Sequence, residues 1–350
     1  MTQLHDPDRR GFASDNYAGA HPEVLAALAD ANGGHQVAYG EDAYTARLQS
    51  VMQEHFGTAS DTFPVFNGTG ANVTALTSML PRWGAVIVTS TAHVHTDENG
   101  APERIGGIKL LTVDTPDGKL TTDLIDSEAW GWGDEHRAQP LAVSITNTTE
   151  LGTLYTVDEI SAIADHAHSK GMLLHMDGAR ICNAAAALAV PFREFTTDAG
   201  VDIVSFGGTK NGLLYGEAIV VLNPAAAEGL QYLRKLNMQL ASKMRFVSVQ
   251  LLALLTNDLH LRSAGHANAM AARLRSSLEE RDLPGLEFTQ ATEANAVFAV
   301  LPPGVADELR GRFRFYDWNP ATREVRWMTA FDTTEQDVDE FVDAITAHLR

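Results

Sequence analysis

The chain holds one cysteine, Cys182, in 350 residues. An internal disulfide is therefore excluded, and the composition fits a reducing compartment. Cations are also scarce: 26 Lys and Arg stand against 45 Asp and Glu, for a net charge of −19. Neutralising a nucleic-acid backbone requires clustered cations, and none are present. No apolar run is long enough to cross a bilayer, and no N-terminal apolar segment reads as a leader. These deficits predict a soluble, cytoplasmic protein with neither nucleic acid nor membrane as partner. What is there is a 45% hydrophobic content, enough for a large core. We expect a major domain over residues 1–250, including an N-terminal arm, and a smaller C-terminal domain over 251–350. In that setting Cys182, beside Ala184–Ala187, reads as a small buried helix residue.

Strand-like apolar runs fall at 63–66, 85–89, 108–113, 141–146, 172–176, 202–206 and 218–222. Helical patterns separate most of them, most clearly at 41–56, 70–79 and 157–169. Thr156 with Glu159 reads as a capping box for the last of these, and Thr333 with Gln336 as one for a closing helix over 333–349. Residues 225–260 read as a helical connection. This alternation predicts an α/β fold with a mostly parallel central sheet covered on both faces, and a smaller α+β C-terminal domain. In such a sheet the functional residues gather at strand ends.

Three of those ends carry chemistry. Residues 204–212 place Lys210 in a glycine-rich turn after an apolar run. An amine held there is desolvated and suits a Schiff-base nucleophile, although a solvated surface lysine has the same local composition. Residues 173–180 read as a buried strand that delivers Asp177 at its end. A carboxylate so placed can keep a pyridine nitrogen protonated and make the ring an electron sink; it can also cap a helix beginning at Gly178. Lys210 and Asp177 together point to pyridoxal 5′-phosphate. Residues 63–72 then supply strand, glycine turn and helix start, with Gly68, Thr69 and Gly70 as a phosphate seat. Val73 stands where a dinucleotide fingerprint needs its third glycine, and Asn211 follows Lys210 where a P-loop needs Ser or Thr. After the run at 85–89, His93, His95 and Asp97 alternate in a way that imitates a metal site on an extended chain. We prefer an imidazole, His93, stacked on the cofactor ring, and expect no metal.

In order, Ser14-Asp15-Asn16, Tyr39-Gly40-Glu41-Asp42, Gly68-Thr69 with Asn72, Ala92-His93 with Glu98, His175 to Arg180 and Ser205 to Gly212 resemble the L-threonine aldolases. That family belongs to the aspartate-aminotransferase-like, fold type I pyridoxal phosphate superfamily, and the Gly-Gly-Thr-Lys-Asn-Gly form around Lys210 is similar to its low-specificity members. The resemblance implies a PLP-dependent transferase-like fold and retro-aldol cleavage of L-threonine, L-allo-threonine and related β-hydroxy-α-amino acids to glycine and an aldehyde. A β-eliminating lyase, an amino-acid racemase or a non-catalytic cofactor-binding protein would share the same apparatus.

Residue by residue, the resemblance implies the cofactor's covalent anchor at Lys210, its ring-nitrogen partner at Asp177 and its stacking group at His93. His93 is also the first candidate for the base, while His175 reads as a core or supporting histidine. Arg180 and Arg326 are implied to bind the substrate carboxylate, the alternatives being a surface helix arginine and an edge-strand arginine. Arg245 is implied to contact the phosphate from a neighbouring subunit, and Ser14 and Tyr39 to line the pocket. Structural roles remain open for these last three. The resemblance further implies a homo-oligomer, a homotetramer built as a dimer of dimers.

Overall fold

The computed structural model describes residues 4–350. Seven strands form the main sheet: β1 (Asp61–Val65), β2 (Gly84–Thr89), β3 (Lys109–Val113), β4 (Gln139–Thr146), β5 (Leu173–Gly178), β6 (Ile203–Gly207) and β7 (Glu217–Val221). Each falls on an apolar run read from the sequence, and β2, β6 and β7 are buried along their whole length, as strands covered on both faces must be. The strand order is β1-β7-β6-β5-β4-β2-β3. Pairing is parallel throughout except at β7, which runs antiparallel to both β6 and β1. The start of β7 therefore lies at the same edge as the carboxyl ends of the other strands.

A second, four-stranded antiparallel sheet takes β8 (Glu287–Phe288), β9 (Ala296–Val300), β10 (Tyr316–Asn319) and β11 (Glu324–Met328) in the order β10-β11-β9-β8. Its core holds Trp327, Phe315 and Phe341 together with Phe12 from the N-terminal arm. The Phe12 and Phe341 rings stack at 4.4 Å, and the Phe12 backbone bonds to Arg314 and Met328. The arm is thus fastened to the smaller sheet while Ser14 and Asp15 continue toward the larger one.

Several local expectations are corrected. The closing helix is Glu335–Leu349, and its capping box is Thr334 with Asp337, one residue beyond the pair read from the sequence. Thr333 instead accepts the Ala330 N–H at 2.9 Å. The helix after β5 starts at Ile181 with Arg180 as its N-cap, so Asp177 does not cap it. The connection over 225–260 is broken into Leu230–Leu236 and Arg245–Leu255, with Met238, Asn257 and Asp258 at positive φ. The segment with the alternating histidines is a helical turn, His93–Thr96, which places successive residues about 100° apart rather than on one face.

Candidate active site

The carboxyl ends of β1, β2, β4, β5 and β6 surround a cavity of about 370 Å³. After β1 come Asn67, Gly68 and Thr69; after β2, His93; after β4, Glu150; within β5, Asp177; after β6, Thr209 and Lys210. Ser14, Arg180, Trp318 and Arg326 are also part of the lining. Local chemistry explains each placement. Asn67 caps the helix Gly68–Met79 by accepting the Gly70 N–H at 2.7 Å, which leaves the first amides of that helix at the cavity. The turn after β6 crosses close to β5: a Cβ on Gly207 would lie 2.4 Å from the Ala179 carbonyl oxygen, so only glycine fits.

Asp177 is buried at 4% exposure. Its Oδ1 accepts the Ala179 N–H at 2.9 Å and its Oδ2 accepts from the Asn72 amide at 2.8 Å; Asn72 also donates to Glu98 at 2.9 Å. Among the described residues Asp177 forms no ion pair. A buried carboxylate held only by neutral donors calls for a cationic partner, and a protonated ring nitrogen entering the cavity supplies one. Lys210 faces the same cavity. Removal from bulk water, then the Arg180 charge, push its amine below the usual lysine range, with Asp15, Asp177 and Glu217 opposing.

His93 is oriented twice. Its backbone N–H donates to Glu150 at 2.8 Å, and its ring Nδ1 lies 3.0 Å from the fully buried Glu98 carboxylate. The Glu98 hydrogen bond raises the imidazole pKa, against the opposing effect of burial. Arg180 is gripped through Nε and Nη2 by Asp15 at 2.7 and 2.9 Å, and Asn295 donates to the same carboxylate at 3.0 Å. That bidentate clamp engages one edge of the guanidinium and leaves Nη1 free of it. Arg326, on β11, has a buried Nε with no hydrogen-bond partner and no carboxylate paired to it among the described residues. Burial, then the charge of Arg180, hold it down at about 10. Two guanidinium groups on one cavity, one without an anion, have the chemistry to receive a carboxylate.

Other expected residues lie elsewhere. Gly70 does not line the cavity, its N–H being taken by Asn67. Tyr39 is 49% exposed, with Lys235 Nζ 4.9 Å from its ring, and Arg245 lies over Phe246; neither lines this chain's own cavity. His175 is buried between Ser144 and Ser205 at 2.8 and 3.0 Å, and burial pushes its pKa down to about 4. Burial likewise pushes the Cys182 thiol up to about 12. His95 is exposed and outside the cavity, whereas Asp97 lines it.

The sequence reading missed Asp15, Glu150, Glu217 and Trp318. The missed signal for two of them was a carboxylate where none is comfortable: Glu217 opens an otherwise apolar strand, and Glu150 lies four residues past the end of β4. Asp15 is paired with Arg180 across 165 residues, which no local pattern reveals.

Comparison with known proteins identifies the family. Residues 11–301 match the beta-eliminating lyase family. The chain is 44% identical over 338 residues to a low specificity L-threonine aldolase of a Pseudomonas species, covering 96% of this chain and 97% of the relative. It is also 44% identical over 331 residues to that of Pseudomonas aeruginosa, covering 94% of this chain and 95% of the relative. The structure of Leishmania major threonine aldolase superposes with a TM-score of 0.92 at 30% identity, covering 98% of this chain and all of the other. The family match covers most of the chain and the similarity to these aldolases runs over nearly its whole length, so the chain belongs to the beta-eliminating lyase family, with the low-specificity L-threonine aldolases.

Proposed function

We propose that this protein is a carbon–carbon lyase that cleaves L-threonine, L-allo-threonine and related β-hydroxy-α-amino acids to glycine and an aldehyde, with pyridoxal phosphate as cofactor. The observation that carries the reading is the convergence of Lys210 and Asp177, from β6 and β5, on one cavity that also holds His93, Arg180 and Arg326. The cavity fits the cofactor: Asp177 lacks a cation, and a Cβ on Gly68 would meet nothing within 4 Å, so the helix N-terminus beside it is open to a phosphate. Lys210 would anchor the cofactor covalently, Asp177 would hold its ring nitrogen, His93 would lie on its ring, and Gly68 and Thr69 would form its phosphate seat, Gly70 being set aside because its N–H is already taken by Asn67. When bound, the cofactor supplies the electron sink for the bond broken at Cα.

The remaining work falls to side chains. Arg180 and Arg326 hold the substrate carboxylate and so fix which Cα bond is aligned for cleavage. His93 accepts the proton of the β-hydroxyl, directly or through water, and Glu98 stabilises the imidazolium that results. Ser14 borders the substrate space. Tyr39 and Arg245, outside this chain's own cavity, serve the cavity of a second copy, which fits a dimer of dimers. The exposed Val37, Leu236 and Met238 give that copy an apolar surface to cover. Among the described residues no helix is long and apolar enough to cross a membrane, and we place the protein in the cytoplasm. We divide the chain into a cofactor-binding unit over 1–250 and a smaller unit over 251–350.

Product analysis tests the reading. Incubation with each threonine diastereomer is expected to yield glycine and acetaldehyde in equal amounts. Accumulation of 2-oxobutyrate would reassign the protein as an eliminating lyase, and an epimerised amino acid would reassign it as a racemase.

A further inference from the structure

Glu217 has no part in the chemistry proposed for Lys210, Asp177, His93, Arg180 and Arg326. It opens β7 between two functional strand ends. Its register partner on one side is Val65, the last residue of β1 before Phe66, Asn67 and Gly68; on the other it is Gly207, at the end of β6 before Lys210. The side chain is buried at 7% exposure and lines the cavity. Its Oε2 accepts the Gly208 N–H at 2.6 Å, which ties it to the lysine turn.

A carboxyl at this point has a charge problem. Its strand register sets it beside the β1 end that leads into Gly68 and Thr69, the seat assigned to a phosphate, and all three line the cavity. Two anions in a desolvated site repel, whereas a protonated carboxyl is a hydrogen-bond donor that a phosphate oxygen accepts. The titratable groups around it do not remove the conflict. The turn after β6 contributes the Lys210 amine, and the helix Ile181–Leu188 contributes the Cys182 thiol. The helix Gly68–Met79 brings no ionisable side chain, and Arg245, at the start of the helix whose Val247 packs on Gly216, stays outside the cavity.

We propose that Glu217 takes up one proton from solvent as pyridoxal phosphate binds and donates it as a hydrogen bond toward the phosphate, so that cofactor and proton are bound together. This rests on the cofactor reading above. Burial already pushes the Glu217 carboxyl up to about 7, within reach of protonation at neutral pH. A bound dianion raises it further, so cofactor affinity falls as pH rises above 7, by up to about tenfold per unit for one linked proton.

The test is equilibrium binding of pyridoxamine 5′-phosphate, which has no aldehyde and so bypasses imine formation at Lys210, to the cofactor-free full chain from pH 7 to pH 9. Wild-type affinity is expected to fall about tenfold or more across that range relative to Glu217→Gln. Parallel pH profiles in the two proteins, even with weaker binding by the variant throughout, would overturn the proposal and leave Glu217 as a brace for the Gly208 turn. Difference infrared spectroscopy of the cofactor-free wild-type chain at pH 8, before and after addition of pyridoxamine 5′-phosphate, is independent of whether Glu217→Gln folds. Gain of a protonated-carboxyl C=O band with loss of carboxylate absorption is expected, and no such change would overturn the proposal. Binding by neither protein would overturn the assignment of the cavity to the cofactor, and this inference with it.

Discussion

Arg326 shows at the scale of one residue how function and stability diverge. Its Nε is buried without a hydrogen-bond partner or an anion, a costly arrangement for the fold that a substrate carboxylate, in the proposed role, would relieve. Arg326→Met is expected to raise the KM for threonine about tenfold or more, the loss of a charge-assisted hydrogen bond, while leaving the melting temperature unchanged or higher. A variant that lost both binding and stability would assign Arg326 a structural role. His175 makes the converse case. It is buried and neutral with a folded pKa of about 4, below the 6.5 of an ordinary histidine, so below pH 6.5 the unfolded chain binds a proton that the folded one refuses. The stability it contributes is full above pH 6.5 and is lost as pH falls toward 4. Urea unfolding should show about 2 kcal/mol lost through this residue between pH 7 and pH 5, and His175→Gln should lack that component. Lys210, Asp177 and His93 were legible in the sequence because each follows or ends an apolar run. The Asp15 clamp on Arg180 was not, because its partners meet only in the folded chain.

At the scale of elements, all seven strands of the main sheet were legible because both faces are covered and each strand reads as a short apolar run. Strand ends and caps were less so. Thr333 with Gln336 satisfies the capping pattern as well as Thr334 with Asp337, and only backbone geometry chooses between them. Thr334→Ala is expected to cost about 1 kcal/mol of unfolding free energy, and Gln336→Ala to stay within about 0.5 kcal/mol, as measured by chemical denaturation. The direction of β7 was also invisible, since parallel and antiparallel strands look alike when fully buried; that direction is what brings Glu217 to the site. The close approach of β6 to β5 is a further element-level constraint. Gly207→Ala forces a Cβ against the Ala179 carbonyl and is expected to destabilise the protein by about 1–3 kcal/mol or more, with loss of cofactor binding.

At the scale of the molecule, two sheets with separate cores share one cavity, with the N-terminal arm packed into the smaller core while its next residues reach the larger sheet's site. Tyr39 and Arg245 make the assembly testable, because neither lines the cavity of its own chain. Mixing Lys210→Ala with Arg245→Ala, each expected to be nearly inactive alone, should restore activity through hybrid dimers with one intact site. No recovery in verified hybrids would mean that each chain's site is complete by itself. The proposed function turns on Lys210 as the covalent anchor, and borohydride reduction of the cofactor-loaded protein followed by peptide mass mapping tests this most directly. One pyridoxyl group per chain is expected, on the peptide that carries Lys210; labelling at another lysine, or at none, would remove Lys210 from that role.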